Sequence, residues 1–322
     1  MAIWRDNIVV SSELAEVESC ILSALKTRQK VLATAVKELL ESGGKRLRPA
    51  LLLLSGKFGD FDKEKLIPLA ASIEILHMAT LIHDDIIDDS KLRRGVPTVQ
   101  AKWGKDTAVF AGDFLFTRAF SLITHKTSFE NLQNLARVIK TICEGEIDQF
   151  NDRFNTDTTI PQYLKRIGRK TAILFALSCK IGAYESGCSS NIQQTLWRFG
   201  YNLGMAFQIT DDLLDFNGDA NKVGKPIMSD FASGVFTLPV IYTIKQEKYR
   251  QKIEDLIERN TFTIEELMQV KRWTEESGGM KFAKNLSRQY LEKAYKELEK
   301  LPRIPARDSL EWLVKMLGER QY

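Results

Sequence analysis

An all-α fold is predicted for this chain of 322 residues, and three observations predict it. Only eight prolines occur, leaving long proline-free intervals at 98–160 and 162–225 in which apolar residues recur every three or four positions, the period of one helix face. Alternating runs bounded by tight hairpin turns, the signature of half-buried strands, are missing. Glycine-bearing punctuation at 42–44, 95–97, 185–187, 217–219 and 277–279 separates the helical stretches. Length alone suggests about two domains. No Pro/Ser/Gly-rich linker or low-complexity block divides the chain, so one helical domain over 1–322 is expected.

Taken in order, the segment Gly43-Gly44-Lys45-Arg46-Leu47-Arg48-Pro49 follows the first glycine turn, and its proline suits a helix start. Residues 66–87 are apolar nearly all round until they reach aspartates; such a helix belongs in the middle of a bundle. Residues 106–120 continue the helical pattern. Leu132, Leu135, Ala136, Ile139 and Ile142 form one apolar stripe, and Leu164, Ile167, Thr171, Leu174 and Leu177 form another. Residues 199–214 repeat the all-round apolar pattern, again ending in aspartates, and the C-terminal remainder also reads as helix.

Composition narrows the function classes. Hydrophobic residues at 44% and charged residues at 27% are ordinary globular values, which excludes disordered, collagen-like and disulfide-scaffold chains. Uninterrupted apolar runs such as 50–54 fall far short of the ~20 residues of a membrane helix. The N-terminus shows no apolar export segment, and a cytoplasmic protein is expected. Cys20, Cys143, Cys179 and Cys188 share no metal-ligand spacing and read as reduced thiols. A net charge of +4 is too small to suggest nucleic acid, and no such partner is expected.

The chemistry lies in two DDxxD clusters, Asp84-Asp85-Ile86-Ile87-Asp88 and Asp211-Asp212-Leu213-Leu214-Asp215, which start 127 residues apart. On a helix the first and last aspartates share a face, and the apolar pair between them turns toward packing. Like charges this close beside apolar surroundings need positive charge to stay ionised. Solvated surface aspartates would explain one cluster; two copies, each ending an apolar helix, point instead to Mg²⁺. That ion takes hard oxygen ligands, commonly one or two carboxylates plus substrate phosphates. The loop pattern of an EF-hand is absent. Cations that could face an anion follow: Lys45, Arg46 and Arg48 after the glycine turn, Arg93 and Arg94 after the first cluster, Lys170 beside Thr171, and Lys225 after the second cluster. Basic groups arriving beside both aspartate clusters suggest diphosphate recognition.

These segments, with His77 through Asp88, Gly112-Asp113-Phe114-Leu115-Phe116, Lys170-Thr171-Ala172, Phe207 through Asp215 and Gly224-Lys225-Pro226, resemble the trans-prenyltransferases, the polyprenyl diphosphate synthases. The match is ordered and runs over roughly residues 40–240. The resemblance implies a large helical bundle around a deep central cavity, of the isoprenoid synthase type. It implies an allylic diphosphate held through about three Mg²⁺ ions between walls made by Asp84, Asp85, Asp88, Asp211, Asp212 and Asp215. Asp84, Asp88 and Asp211 are the expected direct ligands. By the same likeness Arg93, Lys170 and Lys225 hold the allylic diphosphate, and Lys45, Arg48, His77 and Arg94 hold isopentenyl diphosphate. Thr171 and Gln208 line the reacting centre. His83 is left as structural. A homodimer is implied, packed through helices that include 106–120, with membrane contact only at product release.

If the diphosphate sits at the first cluster, the hydrocarbon runs back along the same helix. Ala79 and Thr80 lie about one turn away at ~1.5 Å per residue and are small; Ile75 and Leu76 form the next turn. The expected product is therefore long, beyond geranylgeranyl. A farnesyl or geranylgeranyl synthase is the short-chain alternative. One departure stands out: Gly234-Val235-Phe236-Thr237-Leu238-Pro239 carries valine where the family usually has lysine. The large subunit of two-component heptaprenyl synthases also lacks that lysine, and 94–103 and 163–172 resemble that subunit. A catalytic subunit needing a small partner is thus a second alternative. An HD-type phosphohydrolase would use His83-Asp84 but has only His77 and His125 to complete its metal site. A di-iron bundle would need Glu-x-x-His pairs, which do not occur. A non-catalytic prenyl-binding subunit sits poorly with two intact clusters.

Overall fold

The computed structural model describes residues 2–4, 7–41, 43–93, 95–124, 126–216, 228–259 and 261–319. The fold is all-α, as the periodicity predicts. A 3₁₀ turn at Ala2–Trp4 precedes α1 (Ser11–Ala24), α2 (Lys30–Glu41), α3 (Leu47–Gly56) and α4 (Lys63–Ile87). Two residues each of β1 (Leu92–Arg93) and β2 (Val96–Pro97) pair antiparallel, and α5 (Val99–Trp103), α6 (Lys105–Ile123) and α7 (Phe129–Asn151) follow. Next come α8 (Ile160–Ile167), a π-helical turn at Gly168–Ala172, α9 (Ile173–Glu185) and α10 (Ser190–Phe216). The chain then forms α11 (Ser229–Ala232), α12 (Leu238–Ile244), α13 (Glu247–Ile257), α14 (Ile264–Glu276), α15 (Gly279–Leu298) and α16 (Pro305–Gly318).

Two compact units interleave along the chain. The first comprises Met1–Ala136, Phe175–Gly200 and Glu297–Leu313; the second comprises Arg137–Leu174, Tyr201–Lys296 and Val314–Tyr322.

In the first unit α4 is the central element. The Asp62 carboxylate caps it by accepting the Glu64 N–H at 2.9 Å. Leu66, Leu69, Ala70, Ile73, Ile75 and Ala79 are fully buried. By length and composition α4 could cross a membrane, yet most of it is buried in the protein, as a core helix is. Ala108, Ala111, Gly112, Leu115 and Ala119 give α6 a buried face of mostly small residues, which lets two helices approach closely. The Ser72 hydroxyl uses that closeness to donate to the Ala119 carbonyl at 2.8 Å. Glu185 ends α9 as a buried carboxylate, paired with Lys65 Nζ at 2.6 Å and accepting from Thr127 Oγ1, Ser128 N–H and Asn131 Nδ2. These partners hold its pKa below the usual carboxylate range despite burial, which pulls upward.

The second unit packs around Tyr163, Ile167, Met205, Ile209, Leu213, Phe231 and Phe236. The capping box of Thr159 and Gln162 starts α8, with Pro161 in its first turn. Gly234, at φ +80°, sits against the Phe154 ring, where a Cβ would fall 2.6 Å from the nearest ring carbon.

Three sequence expectations need correction. The α7 stripe is buried at Asn131, Leu135, Val138, Ile142 and Gly145, whereas Ala136 is exposed and Leu132 and Ile139 are half-buried. Asn131 takes an inward place because Glu185 supplies a buried acceptor. The 164–177 stripe is interrupted by the π turn. The short β1–β2 pair, too brief for a periodic signal, tightens the link after the first aspartate cluster.

Candidate active site

The first cluster ends α4 in the first unit. Asp85 is buried, Asp84 half-buried, and Asp88, the C-cap, exposed. The Arg93 guanidinium grips the Asp85 carboxylate, Nε lying 3.0 Å from both oxygens and Nη2 2.7 Å from one. Arg93 is itself enclosed; the attraction of Asp85, with Asp84 and Asp88, outweighs its desolvation and raises its pKa. Gln100 Nε2 donates to the carbonyls of Asp85 and Ser90, and Thr98 Oγ1 donates to Ser90 O at 2.7 Å. The turn that brings Arg93 back to the helix end is therefore pinned from α5.

His83, adjacent to the first cluster, packs within the first unit. Its ring stacks on Phe116 with centroids 5.6 Å apart, and Nε2 lies 3.6 Å from Asp113. A Cβ on Gly112 would fall 2.2 Å from His83 Nε2. Gly112→Ala is expected to cost roughly 1–3 kcal/mol through this overlap, measurable as a lowered denaturation midpoint.

The basic loop before α3 shows a division of labour. Arg46 adopts φ +51° and buries its guanidinium on Glu18 and on Glu74, the latter at 3.0 Å. Trp4, buried, donates its indole N–H to Lys45 O at 2.8 Å and packs on Trp312 with centroids 5.5 Å apart. Arg48 lies over the Phe175 ring at 4.7 Å, and its buried Nε has no hydrogen-bond partner among the described residues. Burial pushes the Arg48 pKa down to about 10, with Glu74 opposing. A guanidinium whose buried Nε–H is unmet is suited to an incoming anion. A small pocket in this unit is lined by Gly43, Arg46, Glu74, His77, Met78, Leu81 and Arg93 among others. Thr80 Oγ1 donates back to His77 O at 2.8 Å; Ile75, Leu76 and Ala79 are buried.

The second cluster ends α10 in the second unit and repeats the first one's pattern. Its middle aspartate, Asp212, is buried, and Asp211 is exposed. Asp212 accepts from Tyr163 Oη at 2.6 Å and Gln208 Nε2 at 2.7 Å. Burial nevertheless pushes the Asp212 pKa up to about 6, the two hydrogen bonds opposing. Asp215 accepts from Ser229 N–H, Ser229 Oγ and Asp230 N–H at 3.1, 2.8 and 3.2 Å, which ties the start of α11 to the end of α10. Lys170 lies in the π turn and pairs with Glu146 at 2.7 Å; Thr171 Oγ1 donates to Gln208 Oε1 at 2.6 Å. Val235, at the family lysine position, is half-buried, its N–H bound to Asp230 O at 2.8 Å.

Arg94 and Lys225 lie outside the described residues. Within the first unit the fold gathers Asp85, Arg93 and His77; within the second it gathers Lys170, Thr171, Gln208 and Asp212. Sequence reasoning missed Tyr163 and Glu146, and it grouped Arg46 with the anion-facing cations although Arg46 is paired with Glu18 and Glu74. Tyr163 carried one signal, its place on the helical stretch that leads into Lys170-Thr171. The donor set is carboxylate oxygen with no nitrogen or sulfur, which fits Mg²⁺. Among the described residues no three such groups converge to hold a cation alone, as suits an ion that shares phosphate ligands.

The model of the polyprenyl synthetase family matches residues 29–273. Heptaprenyl diphosphate synthase component 2 of Geobacillus stearothermophilus is 39% identical over 313 residues, 97% of each chain. The structure of heptaprenyl diphosphate synthase from Staphylococcus aureus superposes with a TM-score of 0.93 at 36% identity, over 98% of this chain and 99% of that one. A geranylgeranyl pyrophosphate synthase from Lactobacillus brevis superposes at 0.92 and 35% identity, over 99% of both chains. On its sequence and on its fold, this chain belongs to the polyprenyl synthetase family and is a prenyltransferase.

Proposed function

We propose that the chain condenses an allylic diphosphate with isopentenyl diphosphate, with Mg²⁺, to give a long-chain all-trans polyprenyl diphosphate, acting as one cytoplasmic prenyltransferase domain. The observation that carries this reading is the shared build of the two aspartate clusters. In each the middle carboxylate is buried and tethered, while outer carboxylates stand more open: Asp84 and Asp88 in one, Asp211 in the other. Asp84, Asp88 and Asp211 would hold the magnesium, about three ions by family likeness. When bound, magnesium neutralises charge building on the departing diphosphate.

The protein's own groups do the rest. Arg93, oriented by Asp85, and Lys170, oriented by Glu146, bind the allylic diphosphate; Lys225 joins them. Arg48, Lys45, His77 and Arg94 bind isopentenyl diphosphate, Arg48 through its unmet Nε–H. Apolar walls exclude water from the allylic cation. The double bond of isopentenyl diphosphate attacks that cation, and the released diphosphate takes the proton.

Farnesyl diphosphate, labelled isopentenyl diphosphate and Mg²⁺ should yield a ladder ending at one long chain on chromatography; a short end product would leave the enzyme class and overturn the length. Ala79→Phe is expected to shorten the product, because a ring replaces a buried methyl one turn before Asp84. Unchanged length would refute that geometry. A second reading is favoured by Val235 and by the relative named component 2: the chain is a catalytic subunit completed by a small partner. An inactive chain that gains activity on adding that partner would establish it. Exposed Val109, Phe110 and Phe120 on α6 support a homodimer, which sedimentation would test.

A further inference from the structure

The second unit contains a hydrogen-bond chain whose direction is fixed throughout. An ionised carboxylate only accepts, so Asp212 receives the Tyr163 hydroxyl proton on one oxygen and the Gln208 amide N–H on the other. The Gln208 amide oxygen must then face away from Asp212, and it meets Thr171 Oγ1 at 2.6 Å. That oxygen can only accept, so Thr171 donates its one proton inward. Its lone pairs are what remain for any other group.

The π turn makes this chain close. Eight residues of α-helix rotate by about 800°, which would leave position 171 about 80° from position 163. The wider turn at Gly168–Ala172 takes up most of that difference. Tyr163 and Thr171 thereby both reach α10, at Asp212 and Gln208, which are four residues apart. The Tyr163 ring is buried with Arg166 over it at 5.6 Å, and Arg166 Nη2 is fixed on Phe236 O at 2.6 Å.

We propose that Tyr163 is a positioning residue for the reaction: by occupying one oxygen of Asp212 it fixes the carboxylate's rotation, and so holds Gln208 and Thr171 with an acceptor oxygen toward the reacting centre. This rests on the placement of Thr171 and Gln208 at that centre. An oxygen whose proton is drawn inward toward a carboxylate stabilises positive charge better than a freely rotating hydroxyl. Without the Tyr163 hydroxyl, the carboxylate can turn, the amide can flip, and Thr171 can present its proton instead.

The test is steady-state kinetics of Tyr163→Phe, Thr171→Val and the double variant, with thermal melting as a control. Tyr163→Phe should lower kcat about tenfold with KM for both diphosphates within about twofold. In the Thr171→Val background it should add less than about twofold, because both act through one chain. Wild-type kcat in Tyr163→Phe, or the same tenfold loss when Thr171 is already valine, would overturn the proposal. Wild-type kcat in Thr171→Val alone would instead remove Thr171 from the reacting centre, and the proposal with it. Should Tyr163→Phe fail to fold, 3-fluorotyrosine at position 163 keeps the ring and makes a stronger donor to Asp212. It should change kcat at least about twofold without moving the melting temperature; no change would count against the chain.

Discussion

Asp211→Asn is expected to lower kcat by about 10²–10³-fold while the melting temperature moves by no more than ~2 °C. The two halves of this result have separate causes. Asp211 is exposed at the end of α10, so the fold gains little from its charge. The loss falls on the reaction, because removing one ionised oxygen weakens the hold on Mg²⁺ where the diphosphate departs. Raising Mg²⁺ should recover part of the rate. Asp84→Asn should behave alike. Asp212→Asn should differ, lowering stability as well, because its neutral amide puts an N–H against the Tyr163 hydroxyl or the Gln208 amide. Kinetics over a magnesium series, with melting curves of all three variants, check this. Full activity in Asp211→Asn would remove that carboxylate from the metal site.

Arg46→Ala is expected to destabilise the protein by about 3–5 kcal/mol, measured by urea denaturation. Sequence alone groups Arg46 with Lys45 and Arg48 as an anion-binding cation, but its guanidinium is buried against Glu18 and Glu74. Glu74 is itself 4% exposed. Removing Arg46 strands that carboxylate in the core. The attraction of both glutamates raises the Arg46 pKa despite burial, so the guanidinium stays charged over the working pH range. Alanine also gains nothing from the backbone, since φ +51° disfavours any residue with a Cβ. Arg46→Lys should recover part of the loss, keeping the charge without the fork. A change below ~1 kcal/mol would mean the loop has another support.

The all-α architecture was legible because helix periodicity survives over long proline-free stretches, and α4 and α10 announce themselves by ending in aspartates. The candidate site was legible at the level of residue type. What stayed hidden depends on side chains distant in sequence. The middle aspartates read like their neighbours, and only the fold shows Asp85 gripped by Arg93 and Asp212 by Tyr163. The π turn is invisible to a scan that assumes one period, so the 164–177 stripe looked continuous. On α7, polarity misled: Asn131 is buried because Glu185 awaits it, and Ala136 is exposed. No local pattern separates Arg46, bound to two glutamates, from Arg48, two residues on, with a donor to spare.

Trp4 and Trp312 brace the same basic loop, one through the Lys45 carbonyl and the other through the indole that makes that bond. A ribosome adding about 5–20 residues per second releases the second tryptophan tens of seconds after the first. For the last part of that interval the nascent chain carries both aspartate clusters and the whole GGKRLRP loop, yet lacks the loop's outer brace. Ser309, which bonds Asn7 at 3.2 Å, arrives equally late. Translation halted before α16 thus leaves a chain with both aspartate clusters in place and its basic loop unbraced, so quality control by the fold waits on α16.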